Sequence, residues 1–199
     1  MKKGNIVIIS IVALVAIVII WGIGINNSLV KSDESVKEAW SQVENVYKRR
    51  ADLVKQLVKV VEGAAKYEKG VLTEVTNARA GVQQTQVDPS QLSEEQIAAY
   101  QKAQDNLTKA LANTIKVTVE RYPELTATQG FRDLQAQLEG TENRITTERG
   151  KFNKAVQEYN TKVRRFPNSI IAGICGFDKK GYFTAPQEAE EPTDIEFNI

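Results

Sequence analysis

The apolar run near the N-terminus constrains this chain most, because it is longer than a buried element of a soluble fold requires. Ile6–Ile25 carries no charge over 20 residues, and Ser10 is its only clearly polar side chain. As a helix, such a run spans about 30 Å, the thickness of the hydrocarbon layer of a bilayer. A buried strand is excluded on length, since strands usually run about 5–6 residues. The run therefore predicts a transmembrane helix in contact with membrane lipid.

A cleaved signal peptide is the alternative interpretation of this run. Signal peptides usually have an apolar core of about 7–15 residues, but Gly22-Ile23-Gly24 loosely resembles a cleavage site. Lys2 and Lys3 concentrate positive charge before the run, and acidic residues count little in the positive-inside rule. We expect residues 1–5 to be a basic cytoplasmic N-terminus of an uncleaved, single-pass protein of the inner (cytoplasmic) membrane. The body would then lie in the periplasm.

The composition argues against several classes of site. Lys and Arg number 26 and Asp and Glu number 25, so the chain has no basic excess for binding nucleic acid. Histidine is absent, which removes the commonest general base and the commonest metal ligand. The single cysteine, Cys175, cannot form an internal disulfide or a thiolate cluster. We expect no catalytic residues, no metal or other cofactor, and no nucleic-acid partner.

Beyond a juxtamembrane linker at 26–34, the chain reads as long amphipathic helices. From Val36 to Val82, apolar residues recur in steps of three and four, and only Arg50 and Glu68 interrupt them. No proline breaks this stretch, so it predicts one long helix with an N-cap in Ser32–Ser35.

Turn and cap signals place the second helix. Asp88-Pro89 ends the first helix, because proline disfavours helical geometry in the preceding residue. Ser93–Gln96 forms a capping box, and Leu92 and Ile97 flank it as a hydrophobic staple. The second helix is therefore expected to begin at Ser93 and to stop at Tyr122-Pro123.

A third helix is expected to begin within Thr126–Gln129 and to end at Phe166-Pro167, with Gly140 and Gly150 allowing close helix approach. Ile170–Phe177 is apolar and predicts a short fourth helix or a packed cap. The fold class is thus all-α: a transmembrane helix followed, over 35–183, by an antiparallel bundle of three long helices plus a short C-terminal helix. The acidic tail at 184–199 cannot build a core and is predicted to be disordered.

Several segments in this order resemble the LemA family of bacterial membrane-anchored helical proteins. They are "WSQVENVYKRRADLVKQLV", "YPEL", "LQAQLEGTENRITTERGKFNKAVQEYNTKVRRFP" and "GFDKKGYF". The resemblance covers Val36 to Phe183 and leaves the acidic tail outside. It implies a helical bundle displayed on one membrane helix, without an established catalytic activity. It also implies partners among envelope proteins, such as a membrane zinc-metalloprotease or a TPM-domain protein.

Polar residues beside the apolar stripe of the third helix are the candidate site. At helical spacing they fall on neighbouring faces, and Arg49 and Arg50 of the first helix are possible partners of Glu142 and Glu148. They form either a network that fixes helix register or a partner-facing surface, while a carboxylate active site is the least favoured interpretation. The candidate residues are Arg49, Arg50, Thr141, Glu142, Glu148, Arg149, Asn153 and Asn160.

The sequence therefore favours a non-enzymatic scaffold or adaptor of the cell envelope. The alternative is a self-assembling or membrane-remodelling protein that forms a homo-oligomer, with Ile170–Phe177 touching lipid or a neighbouring copy.

The predicted topology can be tested with one engineered thiol. We expect Gln86→Cys, in a Cys175→Ser background, to react in intact cells with a thiol reagent that cannot cross the inner membrane, because Lys2 and Lys3 hold the N-terminus inside. Labelling seen only after lysis would reverse the orientation. Intact mass of the mature chain reports cleavage near Gly24.

Overall fold

The computed structural model describes residues 3–63 and 69–184, which form six helices and no strand. The all-α fold class is therefore confirmed. Residues 185–199 of the acidic tail, the basic Lys2, and Ala64 and Glu68 of the predicted first helix lie outside the described residues. The helices are α1 (Lys3–Gly63), α2 (Lys69–Gln84), α3 (Glu94–Arg121), α4 (Pro123–Thr126), α5 (Gln129–Arg164) and α6 (Asn168–Cys175).

Helix α1 continues without interruption from the apolar run into the bundle. Its 61 residues correspond to a rod of about 90 Å. The predicted N-cap in Ser32–Ser35 is wrong, because residues 26–34 are helical throughout. The hydroxyls of Ser32 and Ser35 instead donate to the carbonyls of Ser28 and Lys31, one turn earlier, at 3.1 and 3.0 Å.

The membrane-directed part of α1 is the apolar segment that the rest of the chain leaves uncovered. Its large side chains between Val7 and Ile23 are exposed, most of them by more than half. In the described part of the chain, α1 is the one helix long and apolar enough to cross a membrane. Such a band is not tolerated in water, so it fits a lipid environment.

Helices α1 and α5 pack antiparallel along most of the bundle. The Lys162 ammonium donates to the Ser32 hydroxyl at 2.6 Å near the membrane end. Farther up, the Arg49 guanidinium donates to the Gln137 side chain at 2.8 Å. The end of α5 therefore returns to the base of the bundle, and α6 follows from there.

Helix α2 runs opposite to α1, so the single helix predicted over Val36–Val82 is wrong. The Asn113 amide of α3 donates to the Glu74 carboxylate of α2 at 2.8 Å, while Gln84 lies beside Ala99. The two helices are thus antiparallel. Helix α3 runs parallel to α1, because Tyr100 contacts Trp40 and the later Thr108 contacts the later Arg50. The apolar repeat misled because periodicity reports which face is buried and not whether the axis continues.

The predicted helix starts are confirmed at both later long helices. The Ser93 hydroxyl caps α3 by accepting a hydrogen bond from the backbone N–H of Gln96 at 3.3 Å. Both staple residues, Leu92 and Ile97, are buried. Thr128 caps α5 in the same way. The reciprocal half of the α3 capping box is not formed, since the Gln96 side-chain oxygen is buried without a described hydrogen-bond partner.

The predicted short fourth helix is α6. The expected close helix approach at Gly140 and Gly150 is wrong, because both glycines lie on the exposed face of α5 and a Cβ atom would meet nothing within 4 Å. The glycine that a close approach does require is Gly181, in the extended segment after α6.

Candidate functional site

A layer of polar side chains divides the apolar core of the bundle in two. The cluster nearer the membrane is built around Trp40 and reaches Tyr47 on α1. The distal cluster begins at Leu53 on α1 and extends to Phe131 on α5. Between them lies the polar layer, which consists of Arg50, Gln104, Thr108 and Glu142.

The Arg50 guanidinium is the centre of the polar layer. Arg50 is only 1% exposed. Its Nη1 donates to Glu142 Oε1 at 2.8 Å and to Thr108 Oγ1 at 2.7 Å, and its Nη2 donates to the Gln104 carbonyl at 3.3 Å and to the Gln104 side-chain oxygen. The Arg50 guanidinium of α1 thus donates hydrogen bonds to residues of both α3 and α5. Arg50 Nε and Gln104 Nε2 are buried without a described hydrogen-bond partner. Because a buried charge is costly without partners, the bonds that the guanidinium does make favour one register of the three helices.

A second arginine extends the layer toward the membrane. Arg149 Nε donates to the Tyr47 hydroxyl at 2.5 Å, and Arg149 Nη2 pairs with Asp105 at 3.3 Å. Arg50 lies 5.0 Å and Arg149 5.6 Å from the centre of the Tyr47 ring. The aromatic ring therefore contacts both cations, and the two arginines belong to one connected network.

The remaining polar candidates of this stretch lie outside that network. The buried Thr141 hydroxyl donates to the Gln137 carbonyl of its own helix at 2.7 Å. Arg49 is exposed and bonds the Gln137 side chain, and Glu148 pairs with Lys151 one turn away at 2.8 Å. The structure thus brings Arg50, Glu142 and Arg149 together. Arg49, Thr141 and Glu148 take no part in that network.

Asn153 and Asn160 hold the extended segment Phe177–Thr184, which we call the C-terminal strap. The Asn160 amide donates to the Lys180 carbonyl at 2.9 Å and accepts from the Lys180 N–H at 2.9 Å. Asn153 makes the same pair of bonds with Phe183 at 2.8 and 2.9 Å. Each side chain therefore satisfies both backbone groups of one strap residue, as a neighbouring β-strand would.

Helix α3 holds the strap from its other side. Gln101 donates to the Thr184 carbonyl at 3.0 Å and accepts from the Thr184 N–H at 3.0 Å. The Gly181 N–H donates to the Leu92 carbonyl at 2.9 Å. A Cβ at Gly181 would lie 2.5 Å from the Glu94 Cα, so this approach admits only glycine.

Lys180 ties the strap to α1 close to the membrane. Its side chain is buried, and its ammonium lies 2.9 Å from Asp33 and 5.3 Å from the centre of the Tyr159 ring. Burial alone would raise the pKa of Asp33, but the hydrogen bonds and charges of Lys37 and Lys180 outweigh burial and hold that pKa below its ordinary value. Asp33 is therefore a carboxylate at neutral pH, as a partner for Lys180 must be.

Phe183 connects the strap to the polar network. Its ring stacks on Trp40 at a centroid distance of 6.1 Å and meets Phe152 edge-on at 5.4 Å. The Arg149 guanidinium lies 5.0 Å from the centre of the same ring. A displaced strap would therefore expose an aromatic core and remove a contact of Arg149.

The buried tyrosine phenols of the site are not suited to act as general bases at neutral pH. Burial raises the pKa of Tyr47 and raises the pKa of Tyr100 and of Tyr159 to about 12, so the three phenols stay protonated at neutral pH. A general base works best with a pKa near the operating pH. Within residues 3–63 and 69–184, no group of three or more Cys, Asp or Glu side chains is placed to hold a metal ion.

Sequence reasoning missed the partners that α3 contributes. Gln101 and Gln104 are both buried and interrupt the apolar face between Ile97 and Leu107, which is the signal that Arg50 gave on α1. A polar residue at a core position of the heptad therefore marks each of these contacts. The strap residues Lys180 and Gly181 have no such pattern, because they lie in an extended segment.

Known proteins match most of this chain. The LemA family model matches residues 39–197, so the match includes most of the acidic tail, which the sequence resemblance leaves outside the family pattern. Two curated relatives are the magnetosome proteins MamQ 2 and MamQ 1 of Paramagnetospirillum magneticum (strain ATCC 700264 / AMB-1). Each is 25% identical over 183 residues, covering 83% of this chain and 67% of the relative.

The polar layer makes a stability prediction for Glu142→Ala. A fully buried broken pair would cost about 3–5 kcal/mol, but the Glu142 side chain is 38% exposed and water can solvate part of the vacated site. We therefore expect a loss of about 1.5–3 kcal/mol, the range for hydrogen bonds to charged groups. The measurement is urea unfolding of the detergent-solubilised chain, followed by Trp40 fluorescence in a Trp21→Phe background.

The matched control for that experiment is Glu148→Ala. Its ion pair joins residues three apart on α5, and Lys151 is exposed although the Glu148 side chain is only 18% exposed. Because the pair lies within one helix and its cation is in water, its loss should cost about 0.5 kcal/mol or less. Equal losses for the two variants would show that Glu142 contributes no more than a surface charge.

The strap makes a second prediction through its glycine. We expect Gly181→Ala to lower the free energy of unfolding by about 1–3 kcal/mol, since the new methyl must displace the strap from the start of α3. Gly150→Ala is the control: its Cβ meets nothing within 4 Å, and alanine in a helix should stabilise by about 0.5–1 kcal/mol. The same unfolding assay measures both, and a neutral Gly181→Ala would mean that the strap is not held tightly.

Proposed function

This chain belongs to the LemA family, and from that premise we propose that it is a non-enzymatic, membrane-anchored scaffold that presents its helical bundle to protein partners of the bacterial envelope. We further propose that the chain sits in the inner membrane with the bundle in the periplasm. The family resemblance suggests a membrane zinc-metalloprotease or a TPM-domain protein as partners.

The continuity of α1 is the observation that carries the scaffold proposal. The same helix contains the exposed apolar span and the Arg50 that fixes the bundle. From Ile25 to Gly63 the helix rises about 57 Å, so the bundle extends away from the bilayer without a flexible joint. A rigid mount of this kind suits a protein that holds a binding surface at a set height and orientation.

The interior of the bundle supports a structural use of its polar residues. Arg50 and Glu142 bond each other across α1 and α5, while Arg149 bonds Tyr47 of α1 and lies over Phe183 of the strap. These side chains are therefore used to hold the helices and the strap together. A partner would instead meet the exposed surface, where Arg49 and Arg144 present charge on α1 and α5.

Site-specific photo-crosslinking from native membranes tests the scaffold proposal. A photoreactive amino acid at the exposed Arg144 of α5, or at Tyr182 of the strap, should yield adducts with other envelope proteins. A control position is the buried Leu134, which contacts the chain's own core and should yield no intermolecular adduct. Mass spectrometry of the adducts identifies the partner.

Self-assembly predicts a different outcome of the same experiment. Adducts that contain only second copies of this chain, together with a large homogeneous particle in detergent, would overturn the scaffold proposal in favour of an assembling protein. A discrete monomer or small complex with heterologous adducts supports it.

A further inference from the structure

We propose that α6 is a second membrane contact, whose outward apolar face lies in the leaflet from which the bundle emerges. This apolar face consists of Phe166, just before the helix, and of Ile170 and Ile174. The inference rests on the membrane attachment of α1 and is independent of whether the bundle recruits other proteins.

Packing against α1 places α6 at the level where the membrane span ends. The side chain of Ile171 approaches Gly22 so closely that a Cβ there would lie 3.6 Å from its terminal methyl. Gly22 is three residues before Ile25, which places it about 4.5 Å inside the apolar run. Ala172 is buried in the same cluster as Ile25 and Leu29. Helix α6 therefore contacts α1 within the lipid-facing apolar run, and not only in the part of α1 that follows the run.

The two faces of α6 have different surroundings. Ile171 and Ala172 face the bundle, whereas Ile170 is 54%, Ile174 77% and Phe166 77% exposed. Ile170 and Ile174 are four residues apart and so lie on one side of the helix. Large apolar side chains exposed beside one another mark an interaction surface. Ile171 of the same helix packs beside Gly22 of the uncovered span, so the apolar face of α6 lies at the level of that span.

Charge around α6 matches a phospholipid headgroup region. Arg164 and Arg165 are exposed immediately before Phe166, and the strap after the helix exposes Asp178 and Lys179, so basic side chains outnumber the acidic one here. Trp21, which is also exposed, lies on α1 one residue before Gly22. Basic side chains beside a shallow apolar face are typical of elements that lie in the membrane interface, and tryptophan is enriched at the same depth. This arrangement fits anionic lipid better than it fits a second bundle.

Nitroxide depth measurements on the full-length chain test this contact. Ile174→Cys in a Cys175→Ser background carries the spin label, and the chain is reconstituted in vesicles of phosphatidylethanolamine and phosphatidylglycerol. Collisions with oxygen, which enters the bilayer, are compared with collisions with a water-soluble nickel complex. We expect the label at position 174 to show a severalfold higher ratio of oxygen to nickel collisions than a control label. The control is Val119→Cys, which is exposed on α3 toward the distal end of the bundle.

Two results would overturn the proposal. Equal collision ratios at positions 174 and 119 would place α6 in water. Protection of position 174 from both oxygen and nickel would show that protein covers the face, and a spin–spin distance between copies would identify a second chain. Trp40 fluorescence reports whether each labelled chain is folded, and Ile170→Cys provides an independent label on the same face.

Discussion

The rest of the bundle depends on the buried guanidinium of Arg50. Apolar heptads alone let helices slide past one another at little cost, because one aliphatic contact resembles the next. A charge at 1% exposure removes that freedom, since its hydrogen bonds to Gln104, Thr108 and Glu142 form at one relative position of α1, α3 and α5. Such a layer contributes more to the uniqueness of the packing than to its stability, because desolvation offsets much of the Coulomb attraction.

The same constraint extends to the C-terminal strap through a short series of contacts. Arg50 and Arg149 share the Tyr47 ring, and Arg149 lies over Phe183 of the strap. The strap in turn reaches α1 again through the ion pair of Lys180 with Asp33. The polar layer and the membrane-proximal end of the bundle are therefore joined by direct contacts, so a substitution in one should alter the packing of the other.

The membrane constrains the bundle through the helix that the two share. Because α1 is a single rod, the orientation of the span determines the orientation of the bundle. The proposed α6 contact would add a second point of attachment, and two points resist tilting better than one. Phe166 and Ile174 would then have the same physical role as the apolar side chains of α1, namely to remain out of water.

The sequence by itself determined the all-α class, the membrane-spanning run, the cap at Ser93, and the start of α5 within Thr126–Gln129. Each of these follows from local chemistry: the length of an apolar run, or a hydroxyl beside free backbone N–H groups. It also marked Arg49 and Arg50 as candidate partners of Glu142 and Glu148, and the structure selects the pair of Arg50 with Glu142. Only the tertiary structure decided that residues 26–34 continue α1, that α2 reverses direction, and that Asn153 and Asn160 bind the strap. Periodicity is the same for a continued and a folded-back helix, and a side-chain amide pairs equally well with any exposed peptide group. Which peptide group lies within reach depends on how the helices pack, and that is not a property of any single segment.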